Sequence, residues 1–464
     1  MTLDNSDSAG VSPWLARRGL SLRGGGELLL NGHSLSEAAS RFGTPLYLYS
    51  APVLAESWRD FSETARRACV AAGAEVLVCY SLKANPHLAL VSLLARAGAG
   101  ADLVSGGELA RALRAGVAPE RMVFAGVAKS DDELRAGLKA GILQFNAESA
   151  GELRALQGLA RATDARASVS LRFNPNVAGG GHDKISTGRA GDKFGLARDE
   201  ILSLAAGWER FDRLDLRGLS VHVGSQMDTT APMTRAWDAM LEVFTALAAT
   251  GHERLDRADL GGGVGVDYGG GDGGDGDGGL SLAEYGSALE DFARRFCDFA
   301  GGGVGAPLVI LEPGRRIAAG CGLLLSRVVR VKRGGVVLVD AGMNDFLRPA
   351  LYGARHRIVP VVSAGAGGAG DINKDGVTVA GPVCESSDIF ARGIGGAEGL
   401  ALSGLSEGDL VLICDVGAYG SVMASNYNSR GRACEVLVSG GGLEVITPRE
   451  TLDDMLSRER ILTN

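Results

Sequence analysis

Four features of this chain have residue types and settings that suit chemistry: Lys83, His222, Glu312 and the triglycine 261–263. Lys83 lies in CYSLKANP (79–86), where an apolar run ends in an ammonium group followed by Asn-Pro. Two readings are open. Lys83 is either a solvated residue starting a turn or an amine at the mouth of a core, where burial lowers its pKa and makes it a nucleophile. His222 closes RGLSVHV (217–223), Glu312 closes PLVILEP (307–313), and Arg172 and Asn174 close SVSLRFN (168–174). Asp102 lies in ADLV (101–104), ahead of SGGE. A triglycine lets backbone N–H groups approach an anion closely and so suits a phosphate; read alone it is equally a tight turn. GGGVG (261–265) is a weak dinucleotide fingerprint, because YGGGDGG follows it where a helix is required.

The elements that must position these residues alternate in type. Apolar runs at 75–83, 101–104, 122–125, 142–146, 168–174, 217–223, 258–262 and 307–313 are separated by helical patterns. Examples are 87–96, Ser130–Lys139 (opening SDDEL, an N-cap followed by acids), 148–161 and 233–249. Eight strands alternating with helices predict an α/β fold built on a (β/α)8 TIM-type barrel, with function at the C-terminal strand ends. Lys83, Asp102, Arg172, His222, Gly261–Gly263 and Glu312 all fall at such ends. Alternation along the first run puts Cys79, Ser81 and Lys83 on one face, with the bulkier Val76, Val78, Tyr80 and Leu82 on the other. The smaller face is expected to look into the barrel.

After residue 313 the pattern changes to closely spaced β-rich runs at 322–332, 335–340, 357–362, 377–380, 409–415 and 433–439. These predict an antiparallel β-domain. The N-terminal runs GELLLNGHS and TPLYLYS are expected to pair with it. The predicted division is 46–313 for the barrel, with 1–45 and 314–464 forming the β-domain.

Composition narrows the function classes. A length of 464 residues suits two domains, and 45% hydrophobic with 22% charged residues is ordinary globular composition. A net charge of −8 argues against a nucleic-acid binder. The seven cysteines are scattered without a CxxC pair, which disfavours a zinc site and a disulfide scaffold and suits a reducing, cytoplasmic setting. The N-terminus lacks a secretory pattern, and no apolar run reaches the ~18 residues that span a bilayer. Glycine-rich tracts at 269–279 and 365–370 read as flexible loops. Asp272, Asp275 and Asp277 in the first alternate with glycine, but without EF-hand or nonapeptide spacing, so a solvated insertion is favoured over a calcium site and no metal is expected.

Taken together, YSLKANP with DLVSGGEL, RFNPN, ISTG with KFG, HVGSQ, DLGGGVG, EPGR, DAGMNDFLRPALYG, GPVCESSD and DVGAYG–MASNYN–R resemble the fold-type III pyridoxal-phosphate decarboxylases. The likeness is greatest to the diaminopimelate-decarboxylating members and runs in family order from about residue 45 to 445. It implies an alanine-racemase-like barrel followed by a β-domain that completes the active site, with pyridoxal 5'-phosphate as cofactor. Lys83 matches the lysine that forms the Schiff base. Glu312 matches the carboxylate paired with the pyridine nitrogen, which keeps the ring an electron sink for the pair left when CO2 departs. His222 matches the imidazole on the ring face. Ser225, Gly262, Gly263 and the 313–315 backbone, with Gly314 and Arg315, match the phosphate cradle. Asp102 and Arg172 resemble the surroundings of the cofactor's phenolic oxygen, although Arg172 alone also reads as a strand-end salt bridge. Arg315 and Arg348 match guanidinium groups that hold a substrate carboxylate. Tyr352 and Glu385 match further substrate contacts, with Glu385 on the distal ammonium. Cys384 matches a thiol acting as an acid near Cα, and Tyr419 a residue touching cofactor and substrate.

The implied activity is decarboxylation of meso-2,6-diaminopimelate to L-lysine and CO2, a carboxy-lyase step of lysine biosynthesis. The implied assembly is a homodimer in which CESSD completes the neighbouring subunit's site. One departure is Ser387, where the family usually has CESGD; a glycine needing positive φ there would make serine costly. Ser387 and the 269–279 insertion also leave open a related amino acid as substrate in a specialised pathway. A non-catalytic binding protein on the same fold is a third reading, which the joint retention of Lys83, Cys384 and Glu385 disfavours.

Overall fold

In the computed structural model, the eight predicted runs form eight parallel strands. These are Glu75–Ser81, Gly100–Leu103, Met122–Phe124, Gln144–Ala147, Ala167–Arg172, Leu214–Ser220, Arg257–Asp259 and Leu308–Leu311, here barrel strands one to eight. They close into a barrel because strand eight pairs with strand one, from Leu308↔Glu75 to Leu311↔Val78. The structure describes residues 11–177, 193–252, 255–269, 279–300, 306–362, 376–394, 402 and 404–462. The ISTG motif, most of the 269–279 tract with its three aspartates, and the 365–370 tract lie outside these residues.

The strands are buried on both faces, as a helix-wrapped parallel barrel requires, so apolar residues dominate them. Leu77, Cys79, Val123 and Ile310 pack together in the interior. The intervening helices start where Ser-x-x-Glu occurs. Ser105, Ser130 and Ser149 accept hydrogen bonds from the backbone N–H of Glu108, Glu133 and Glu152 at 3.2, 3.3 and 3.1 Å. Each serine satisfies an amide that the first turn leaves unpaired. These caps follow strands two, three and four and fix the helix starts at the C-terminal rim.

The chain falls into two units, one of Ser57–Val266 with Asp277–Ile317 and one of Met1–Glu56, Asp267–Gly276 and Ala318–Asn464. In the second unit the long strand Gly322–Lys332 is the hub. It pairs antiparallel with Leu46–Ser50, Val336–Val339 and Leu410–Ile413. TPLYLYS therefore joins the C-terminal sheet, as expected. GELLLNGHS does not: it folds with Leu20–Arg23 into a separate three-stranded sheet, which meets the larger one at the bridge Glu27↔Val362 and packs Leu28 and Leu30 into the same core as Leu46 and Leu323. The sheet is also not wholly antiparallel. Val336–Val339 runs parallel to Val377–Ala380, and Leu46–Ser50 runs parallel to Cys434–Ser439. Leu46, Leu48, Leu323, Leu325, Leu412 and Val436 lie in its core.

Candidate active site

Strand one ends at Ser81, and Lys83 occupies the 3-10 turn Leu82–Ala84 that follows. Alternation thus governs Cys79 and Ser81 but not the lysine itself. Ser81 Oγ donates to Asp102 Oδ2 at 2.5 Å, and Lys83 Nζ reaches the same oxygen at 3.1 Å. The Lys83 side chain is 33% exposed above a fully buried Asp102. Deep burial of the lysine is therefore not found; the amine stands at the rim with a carboxylate beneath it. Asp102 Oδ1, buried, has no hydrogen-bond partner among the described residues.

Closure of the barrel brings Glu312 to this end, since Ser81 N–H donates to the Pro313 carbonyl at 3.1 Å. Glu312 belongs to a buried polar cluster with Asn146, one residue before the end of strand four, and Asp259, which ends strand seven. Asn146 Nδ2 donates to Asp259 Oδ2 at 2.7 Å and lies 3.4 Å from Glu312 Oε1; Gln144 Nε2 donates to Asn146 Oδ1 at 2.9 Å. Burial pushes the Glu312 carboxyl well above the usual range, and Asp102 and Asp259 add to the shift. Burial also raises Asp259 to about 6, opposed by the Asn146 amide and a hydrogen bond from Glu312. Burial, and for Glu312 the neighbouring Asp259 charge, favour the protonated forms of these acids.

His222 follows strand six. Its Nδ1 accepts the Gly262 N–H at 3.1 Å, so the ring carries its proton on Nε2 and is neutral. Burial, then Lys83 and Arg172, hold its pKa well below the ordinary value. Arg172 pairs with Glu148 at 2.5 Å, and Glu148 also accepts the Gly195 N–H at 2.7 Å. The strand-end salt bridge is thus present, and it anchors the KFG motif.

The triglycine is built for close approach. Gly261 and Gly263 have φ of +66° and +102°, and a Cβ on Gly262 would strike the Glu312 carbonyl oxygen. Arg315 Nη2 and Nε donate to Ser225 Oγ at 2.9 and 3.3 Å. A Cβ on Gly314 would stand 2.9 Å from Ala84 Cβ.

The predicted residues of the other unit form two groups. Arg348 and Tyr352 open and close the helix Arg348–Tyr352, and their i,i+4 spacing puts them on one face. Arg348 is buried; its Nη1 lies 2.9 Å from His356 Nε2, and its guanidinium carbon sits 4.7 Å from the centre of the Tyr268 ring. Cys384 and Glu385 are exposed on the CESSD loop. Asp388 fixes that loop by accepting the Met343 and Val383 N–H groups at 2.6 and 2.7 Å. Asn428 Oδ1 accepts the Cys384 N–H at 2.8 Å, and Tyr427 OH donates to Glu385 at 3.3 Å. Tyr419 is held at φ +56°, a strained conformation for a non-glycine residue and one that clusters at functional sites. Ser387 has no positive φ, so serine there carries no backbone strain. Ser81, Asn146, Glu148, Asp259, Tyr268 and His356 carry no role in the sequence reading, although Ser81 lies within YSLKANP and Asp259 within DLGGGVG. Asn146 closes the run 142–146 and Asp259 lies in the run 258–262, a signal that could have found both.

Residues 59–319, more than half of the chain, match the family model of the pyridoxal-dependent decarboxylase pyridoxal-binding domain. Over 440 residues the chain is 39% identical to the diaminopimelate decarboxylase of Zymomonas mobilis, covering 94% of this chain and 97% of that one. This chain belongs to the diaminopimelate decarboxylase family. Other members include the Neisseria meningitidis serogroup A enzyme, 40% identical over 91% of this chain and 96% of that one. The crystal structure of diaminopimelate decarboxylase from M. jannaschii in complex with L-lysine superposes with a TM-score of 0.85 at 34% identity, over 96% of this chain and 98% of that one. The lysine complex of the Helicobacter pylori enzyme superposes at 0.79 with 36% identity, over 91% and 98%.

The family's cofactor is pyridoxal phosphate, and the barrel rim fits it. An accessible amine stands beside a buried carboxylate with one unpartnered oxygen. A buried acid and a neutral imidazole are available for the ring nitrogen and the ring face. A cradle that side chains would fill lies next to Ser225. Among the described residues no group of three His, Cys, Asp or Glu side chains is arranged to hold a metal ion.

Proposed function

We propose that this protein decarboxylates meso-2,6-diaminopimelate to L-lysine and CO2, supplying lysine biosynthesis. The observation that carries the chemistry is Lys83 at 3.1 Å from buried Asp102, on the rim that also holds Glu312 and His222. The whole-length likeness to diaminopimelate decarboxylases supports the substrate. When bound, the cofactor supplies an electron sink for the bond that breaks.

In this reading the chain's own residues divide the work. Lys83 attaches the cofactor covalently, and Asp102, with Arg172, faces its phenolic side. Glu312 holds the ring nitrogen and His222 covers the ring. Ser225, Gly262, Gly263, Gly314 and Arg315 hold the phosphate. Arg315 and Arg348 bind the distal carboxylate, Glu385 the distal ammonium, and Tyr352 and Tyr419 complete the contacts. Cys384 delivers the proton at Cα. Exposure of Cys384 and Glu385 on a loop fixed by Asp388 supports their serving the neighbouring subunit of a homodimer. All seven cysteines are free, which supports a cytoplasmic enzyme. Among the described residues no helix is long and apolar enough to cross a membrane.

The test is CO2 release from diaminopimelate with added pyridoxal phosphate, run beside ornithine. Turnover of diaminopimelate, lost in Lys83→Ala, is the expected result. Release from ornithine but not from diaminopimelate overturns the substrate. Borohydride reduction followed by peptide mapping should place the cofactor on Lys83; a label elsewhere overturns that role.

A further inference from the structure

His356 stands between two partners that leave it a single protonation state. Its Nε2 lies 2.9 Å from Arg348 Nη1, and its Nδ1 lies 2.9 Å from the Cys414 carbonyl oxygen. A guanidinium only donates and a carbonyl only accepts. The ring must therefore carry a proton on Nδ1 and offer the Nε2 lone pair to Arg348. The packing fixes the imidazole as tightly as the hydrogen bonds do. Phe346 meets it edge-on at 4.7 Å between centroids, and Tyr268 lies at 4.5 Å while also stacking on the guanidinium. His356 and Arg348 are 5% and 6% exposed, so bulk water does not compete for this contact. An arginine side chain has rotamer freedom to lose, and a bidentate grip on a carboxylate needs the plane of the fork set beforehand.

We propose that His356 is a positioning residue for Arg348, a neutral hydrogen-bond acceptor that aims the guanidinium fork at the substrate's distal carboxylate. This rests on the reading of Arg348 as a holder of that carboxylate. Tyr268 acts with it by covering the guanidinium face. The pair selects for ligands that keep a carboxylate at the far end from the bond that breaks, and against diamines.

The experiment uses the cofactor-loaded protein and two probes. L-Lysine carries the distal carboxylate, and 1,5-diaminopentane lacks it. His356→Phe keeps the ring packing and removes the acceptor. It should weaken L-lysine about 10- to 30-fold in calorimetry and raise KM for diaminopimelate by a similar factor. Binding of 1,5-diaminopentane, the cofactor spectrum and kcat (within about 3-fold) should stay unchanged. His356→Gln, which returns an acceptor near the Nε2 position, should recover most of the L-lysine affinity. Equal weakening of both probes, or no weakening of either, overturns the proposal. The 15N shifts of the imidazole in the unmutated protein test it without a substitution: an Nδ1–H tautomer is expected, and an Nε2–H or doubly protonated ring overturns it. If the unmutated protein binds no L-lysine and leaves diaminopimelate intact, the substrate reading fails. The tautomer result then still separates that failure from a failure of the Arg348–His356 geometry.

Discussion

Asn146 and Asp259, on barrel strands four and seven, meet through a 2.7 Å hydrogen bond at the buried rim of the barrel. The same amide approaches Glu312, so one neutral side chain stands between two acids and supports both. Asn146→Leu keeps the branched shape and heavy-atom count and removes the donor. It should cost about 1–3 kcal/mol in urea unfolding, because two buried carboxyls lose a partner. Cofactor dissociation, followed by the loss of its absorbance on dilution, should speed up as well.

Asp259 also sets a pH dependence. Its folded pKa, about 6, lies above its ordinary value of 3.8. Between these values the unfolded chain has released the proton while the folded protein keeps it. This contribution to stability is full below about pH 4 and is lost as pH rises through 6. Asp259→Asn should flatten that part of the cofactor-free stability curve by on the order of 1 kcal/mol, measured by chemical unfolding across pH 4–7.

Lys129 Nζ is buried 2.7 Å from Glu152 and donates to the carbonyls of Gly126 and Asn146 at 2.7 and 2.8 Å. Lys129→Met should destabilise by about 3–5 kcal/mol, since it leaves Glu152 charged and unpaired. The double variant Lys129→Met, Glu152→Leu should recover a large part of the loss. An unchanged urea midpoint in the single variant would show that the buried Lys129–Glu152 pair does not hold this end of the barrel together.

Ser387 occupies ordinary backbone space. Ser387→Gly should therefore lower stability by no more than about 1 kcal/mol, chiefly through the unfolded chain, with the weak Ser387 Oγ contact to Met343 Sδ lost as well. Its kcat/KM for diaminopimelate should stay within about 3-fold. A large gain in turnover would make Ser387 a determinant of specificity.

A shared site predicts complementation. Lys83→Ala and Cys384→Ala, each inactive alone, should regain roughly a quarter of native activity when refolded together in equal amounts. No recovery would place Cys384 in its own subunit's site.

Much of the barrel was legible because its signal is local. Eight apolar runs, turn residues and Ser-x-x-Glu caps each act within a few residues, and all eight strands stand where the runs lie. The placement of Lys83, Glu312, His222 and the triglycine at one rim was legible because a barrel converts strand ends into one rim. The 3-10 turn at Lys83 was not, since alternation stops where the strand stops and only the chain's path beyond Ser81 decides the exposure of the amine. GELLLNGHS went to its own sheet for a similar reason: strand propensity names an element but not its partner.

The sequence by itself determined the element types, their order and the reactive side chains at their ends. Only the tertiary structure decided which of those side chains share protons and hydrogen bonds. Asn146 lies 113 residues from Asp259, and His356 lies 58 residues from the carbonyl that fixes its tautomer. Such pairs are set by barrel closure and sheet register, and their energetics come from burial, which no local pattern encodes.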